Sequence, residues 1–135
     1  MMTPVLLSAT LLLLLLPGAP ATNSNQTPIK ILVANSLANA PNQTYSTSLA
    51  FRGILLGGMR RLQDSNQGFS FYYTEDPNYG PFLVCVNGQC GCTAGRTYWE
   101  LLVIKENNEL IRPDVGIGCY IPCANETIIL NYNSY

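Results

Sequence analysis

The run Cys85-Val86-Asn87-Gly88-Gln89-Cys90 constrains the fold more than any other stretch of the chain. Asn-Gly tolerates positive φ at both central positions of a two-residue loop, so it favours a type I′ β-hairpin. In that hairpin Val86 faces Gln89 and Cys85 faces Cys90, the second pair being the non-hydrogen-bonded one with close Cα atoms. A bridge from Cys85 to Cys90 fits there at the short edge of disulfide geometry. Two other uses of the thiols stay open. In the first, Cys90 or Cys92 crosses to Cys119 or Cys123; this closes a longer loop, stabilises by about 3 kcal/mol, and at least one such link is expected. In the second, Cys90-x-Cys92 and Cys119-x3-Cys123 hold a metal, a use that oxidising compartments disfavour. The cysteines number five, so one is left over to stay free or to join two chains as a disulfide-linked dimer.

The oxidising compartment is read from the N-terminus. Val5–Leu16 is apolar and ends in the leucines Leu11–Leu16; Pro17-Gly18 breaks it, and Ala19-Pro20-Ala21 supplies small residues. This is the pattern of a secretory signal peptide over 1–21, cut after Ala21. The run is shorter than the roughly 20 residues a membrane helix needs, so a secreted, extracellular chain without a membrane span is expected. Residues 22–27 are polar and expected to be flexible, and residues 28–135 form one domain. Seven basic and eight acidic residues argue against a nucleic-acid partner. Charged residues are only 11%, against about 25% in an average domain. Sugar is expected to make up the deficit, because Asn25, Asn42 and Asn125 each begin an Asn-x-Thr sequon.

Apolar patterning then orders the elements. Ile29–Ala34 reads as a strand and Thr44–Thr47 as a short second one. Thr47 or Ser48 is expected to cap a helix that runs to about Asp64, with Phe51, Leu55, Met59 and Leu62 as its apolar stripe. Gly57-Gly58 lets a strand approach that helix closely, and Arg60-Arg61 forms a solvated face. Phe69–Thr74, Phe82–Val86, Thr97–Lys105 and Glu126–Tyr132 follow as strands, with a turn at Glu106–Glu109. One helix on a mixed or antiparallel sheet with additional β-hairpins is an α+β fold.

Catalysis has little support. The chain has no histidine, which removes His-based triads and His-ligated zinc. No pair of its carboxylates is marked for acid–base work, and Gly116-x-Gly118 lacks a phosphate-loop context. No catalytic residue, resident cofactor or metal is therefore expected, and the chain is read as a non-enzyme. Binding has more support. Asn78-Tyr79-Gly80-Pro81-Phe82 sets an aromatic, a flexible glycine and a rigid proline together in a loop. Tyr98-Trp99 supplies the sole tryptophan. Period-two alternation places Trp99, Leu101 and Val103 on one strand face, which reads as core.

The second half carries Phe69-x-Phe71, Gly80-Pro81-x-Leu83-x-x-Val86-x-Gly88, Tyr98-Trp99-Glu100-Leu101-Leu102, Gly116-Ile117-Gly118-x-Tyr120-Ile121-Pro122 and Glu126-Thr127-Ile128, in that order. Over about residues 28–135 this resembles the C-terminal β domain of the secreted cobalamin carriers: transcobalamin, intrinsic factor and haptocorrin. The resemblance implies a β-grasp-like unit and a ligand held between that unit and a large helical domain. It implies ligand contacts at Asn78, Tyr79, Gly80, Pro81, Phe82 and Leu83, then at Trp99, Glu100, Leu101, Leu102 and, past the turn, Leu110. Cobalamin would be cargo, not a catalytic cofactor. Two departures stand out. The helical domain has no counterpart in this sequence, so a separate helical-domain protein or receptor would complete the enclosure. The cysteine set is not a feature of the family's β domain. The alternative reading is a secreted interaction or signalling module that kept the fold and lost cobalamin binding.

Overall fold

A computed structural model describes residues 25–135. The expected signal peptide 1–21 and residues 22–24 of the segment expected to be flexible lie outside the described residues. The elements run β1 (Gln26–Asn35), β2 (Gln43–Ala50), α1 (Leu55–Asp64), β3 (Phe71–Asp76), β4 (Gly80–Val86), β5 (Gln89–Cys90), β6 (Thr97–Ile104), β7 (Leu110–Ile111) and β8 (Thr127–Ser134). The fold class is α+β, as expected.

Two sheets form. The larger has the order β2-β1-β8-β6-β7 and the smaller β3-β4-β5. In the larger sheet β1 and β8 run parallel, while the other neighbours are antiparallel. The first and last strands therefore lie side by side at the centre, where both are shielded from edge exposure. One face of this sheet presents Ile29, Ile31, Val33, Leu49, Trp99, Val103, Ile128, Leu130 and Tyr132 to the core. Leu55, Leu56, Met59 and Leu62 of α1 cover it, and Phe69, just before β3, with Leu83 and Val86 of the smaller sheet continues the cover. Gly58 is buried in α1; a Cβ there would stand 3.5 Å from Ile29 Cδ1 and 3.6 Å from Leu49 Cβ, which is ordinary contact. The close approach expected of the glycine pair thus falls on Gly58, while Gly57 faces open space.

The start of the helix is corrected. Neither Thr47 nor Ser48 caps it: both pair with β1, opposite Ile29 and Pro28. Tyr45, Thr47 and Leu49 extend a period-two pattern on the inward face, so the strand continues to Ala50. Arg52 then turns at φ 63, and Phe51 is 65% exposed instead of joining the helical stripe. The helix has no side-chain cap. Its free N–H groups are met from a distant loop, Leu55 N–H donating to Tyr120 O (2.8 Å) and Leu56 N–H to Ile117 O (2.9 Å). At the other boundary, β1 begins at Gln26, and Thr27 is buried, so the loose segment stops short of these two residues.

The Asn-Gly hairpin forms as expected. Asn87 (φ 51) and Gly88 (φ 85) both have positive φ, Val86 pairs with Gln89, and Cys85 pairs with Cys90. Cys85 and Cys90 are joined by a disulfide with Cα atoms 4.0 Å apart. This removes Cys90 from the expected link to Cys119 or Cys123 and from the four-thiolate metal site. Cys92, Cys119 and Cys123 are free and exposed, and among the described residues no cluster of three or more metal-ligating side chains forms.

Candidate functional site

The first expected contact stretch is a built loop. Asp76 pairs with Gly80 at the mouth of the β3–β4 hairpin. Asp76 Oδ1 accepts from Asn78 N–H (2.8 Å) and Tyr79 N–H (3.0 Å), which fixes the tip without outside help. Gly80 closes the turn at φ 75, a conformation that L side chains resist. The result projects Tyr79, 82% exposed, and Phe82, 55% exposed, while Leu83 turns into the core. Pro81 is clamped from behind. A Cβ on Gly118 would lie 2.6 Å from Pro81 Cγ, so only glycine permits this approach. Through Ile117 and Tyr120 the same segment satisfies the start of α1, so the loop, the 116–120 segment and the helix form one support.

That support is itself anchored by Glu126, which is 1% exposed. Glu126 Oε1 accepts from the Tyr120 hydroxyl (2.7 Å) and Cys123 N–H (3.2 Å), and Lys105 Nζ lies 3.3 Å from Oε2. Burial, and then the bond to the Glu126 carboxylate, push the Tyr120 hydroxyl well above the ordinary phenol pKa.

Beside the loop is a groove of about 190 Å³ lined by Phe82, Leu83, Cys92, Thr97, Tyr98 and Tyr135, among others. Tyr98 and Tyr135 pack edge to face with centroids 5.7 Å apart. The isolated bridge between Cys92 and Thr97 ties the segment that follows β5 to the start of β6 at this point. Phe82 and Tyr98 are thus the apolar walls that the fold brings together.

The second expected stretch sits differently. Trp99 is 8% exposed, packs on Tyr132 with centroids 5.2 Å apart, and donates from Nε1 to Gln89 O (2.8 Å). It borders a separate groove of about 170 Å³ with Val33, Pro41, Gln43 and Val86. Leu101 lies on the same face, half-buried against the core. Glu100 and Leu102 point to the opposite face of the sheet. Glu100 is buried, and both its oxygens are committed: Oε1 to Asn131 Nδ2 (3.0 Å) and Asn133 Nδ2 (3.2 Å), Oε2 to Arg112. Burial raises the Glu100 pKa, but the hydrogen bonds from Asn131, Asn133 and Arg112 outweigh it and hold the carboxyl below its ordinary value. Leu110 is exposed on the short edge strand β7. The residues Asn78–Leu83 are therefore brought together, whereas Trp99, Glu100 and Leu110 point to three different places. Tyr135 and Cys92 were not singled out as ligand contacts; the aromatic wall they share with Phe82 arises from long-range packing that no local motif marks.

No family model matches the chain. It is 28% identical over 96 residues to human Transcobalamin-1, an alignment covering 70% of this chain and 21% of that protein. The chain therefore spans about a fifth of the length of the curated relative it matches. Haptocorrin solved in complex with Cbi superposes with a TM-score of 0.68 at 22% identity, covering 82% of this chain and 25% of that one. A protein of Ruminococcus gnavus, described as a candidate metal-binding protein, superposes with a TM-score of 0.56 at 11% identity, covering 81% of this chain and 98% of that one. In sequence and in fold, this chain is similar to the transcobalamin-like C-terminal domain of the cobalamin carriers.

Proposed function

We propose that this chain is a secreted glycoprotein that binds a cobalamin-type ligand as cargo through the Asn78–Leu83 loop. Tyr79 and Phe82 supply apolar contacts, and the backbone beside Gly80 supplies polar ones. The observation that carries this reading is the loop itself: it is braced by Asp76 and Gly118, yet it leaves Tyr79 82% exposed. The likeness to Transcobalamin-1 supports the ligand class. The adjoining groove, about 190 Å³, is smaller than the roughly 300–1,000 Å³ of pockets that enclose a small molecule. On this reading the domain covers one face of the ligand, and a separate helical-domain protein or receptor covers the other. The chain is a binder and not an enzyme.

The test is a titration of the secreted, oxidised protein with cobalamin by calorimetry and corrin absorbance, alone and with a Tyr79→Ala/Phe82→Ala variant. Saturable binding that the double substitution weakens is the expected result. Absence of heat and of spectral change would sink ligand binding by the isolated chain. A second reading then takes over: an interaction module that kept the fold and lost the ligand. Trp99 in the core and Glu100 with both oxygens occupied favour that alternative.

A further inference from the structure

The larger sheet has a second face, turned away from α1, and it is apolar at its centre. Leu32 on β1 pairs with Ile129 on β8, and Ile129 pairs with Leu102 on β6. Alternation sets all three on the face opposite Ile31, Ile128 and Val103. All three are half-buried, and none belongs to the core cluster. A row of aliphatic side chains across three central strands is a surface that soluble proteins cover or rim with polar groups. Glu100, on this face with Leu102, and its partners Asn131 and Arg112 rim the row on one side.

The same face holds a shallow groove of about 270 Å³ crossing β8, β1 and β2, lined by Pro28, Lys30, Ser46, Asn125 and Thr127, among others. Lys30 pairs with Ser46 on one side and Thr127 on the other, one row below the aliphatic one. Asn125 stands at the end of this groove and is exposed. Its backbone is fixed at φ 68, with its N–H on Pro28 O (2.8 Å). Its Nδ2 donates to Glu106 Oε2 at 3.3 Å, which uses one of its two hydrogens. Asn125-Glu126-Thr127 is a sequon in which Glu126 turns inward and is buried. The asparagine is thus left outside with one amide hydrogen free.

We propose that Asn125 carries an N-linked glycan that lies along this groove and covers the aliphatic row of the sheet. This rests on the secreted-glycoprotein reading above and assigns one sequon a structural task. The donor class is an oligosaccharide linked to a polyprenyl diphosphate. Asn125 Nδ2 attacks its anomeric carbon, the N–C bond forms, the C–O bond to diphosphate breaks, and the amide proton leaves as the lipid diphosphate departs. The apolar faces of the first sugar rings then rest on the aliphatic row, and their hydroxyls keep that side wetted.

The test uses the full chain secreted from eukaryotic cells, with peptide mass spectrometry before and after enzymatic deglycosylation. The expected result is sugar on the peptide holding Asn125, lost in Asn125→Gln and retained in Thr127→Ser. Deglycosylation, or Asn125→Gln, should also raise binding of a hydrophobic-surface dye, and Ile129→Thr added to Asn125→Gln should reverse that rise. Sugar on Asn25 or Asn42 with Asn125 unmodified overturns this inference and leaves the secretory reading standing. Sugar at none of the three overturns this inference and, with it, the glycoprotein part of that reading. Sugar at Asn125 whose removal leaves dye binding unchanged overturns the covering role.

Discussion

The hairpin loop of the smaller sheet and the tryptophan strand of the larger one were expected to serve one purpose, and they are built in opposite ways. Asn78–Phe82 is held by its own backbone and by glycines, at Gly80 and Gly118, so its aromatic side chains stay free. Trp99 is held by its side chain, with Tyr132 against the ring and Gln89 O on the indole N–H. A group that supports the fold through its side chain has that side chain already spent; a group positioned by its backbone keeps it for a partner. Stability and binding measurements should therefore separate the two regions.

The largest effect should come from Trp99→Ala. The substitution empties a core site and removes the indole N–H that Gln89 O accepts, so a loss of about 3–5 kcal/mol is expected. Denaturant unfolding followed by circular dichroism measures it. A change below 1 kcal/mol would mean that Trp99 contributes little to the core and would return it to the ligand wall.

Next is Glu100→Gln, with an expected cost of about 1.5–3 kcal/mol for hydrogen bonds to a charged, buried acceptor. Because the folded pKa lies below the ordinary value of 4.5, the Glu100 contribution is complete above that value. It is lost as pH falls through the folded pKa. Wild-type stability should therefore fall more steeply on acidification below about pH 4.5 than that of Glu100→Gln. Parallel pH profiles would remove Glu100 as the source.

The Cys85–Cys90 bridge comes third. It spans a sequence separation of only 5, so replacing both cysteines with serine should cost about 2 kcal/mol on the loop-entropy account. Its loss should loosen the β4–β5 hairpin beside the loop and leave the Trp99 strand in place. Equal loss of amide protection in β6 would show that the bridge supports both regions.

How much of this was legible follows the same division. Strand alternation at Trp99-x-Leu101-x-Val103 already marked these residues as core; it was the family resemblance that turned Trp99 into a ligand wall. Period-two signals survive because each inward residue meets the sheet's own core. The helix start failed because Phe51 fits a helical stripe with Leu55, while the strand signal Tyr45-x-Thr47-x-Leu49 continues across the expected cap. The register with β1 decides between them, and no local window contains it. The hairpin bridge was legible because both partners flank one turn. The groove wall of Phe82, Tyr98 and Tyr135 was not, since it joins two sheets. Asp76-Pro77-Asn78 did carry an Asx-turn signal, and with Gly80 it accounts for the exposed tip.

The smallest stability effect is the most informative one. Tyr79 is 82% exposed, and the loop it sits on is closed by Asp76 and Gly80, not by its ring. Tyr79→Ala should therefore change unfolding free energy by no more than about 0.5 kcal/mol, while it weakens cobalamin binding in the titration. Asp76→Ala should do the reverse in part: it leaves the ring in place but frees the two N–H groups at 2.8 and 3.0 Å, so binding falls through loss of preorganisation. If Tyr79→Ala destabilises the protein as much as Trp99→Ala, the ring is structural after all and the two regions are built alike. If both Tyr79→Ala and Asp76→Ala leave binding intact, ligand contact lies elsewhere on the domain, and the loop's exposure belongs to a protein partner.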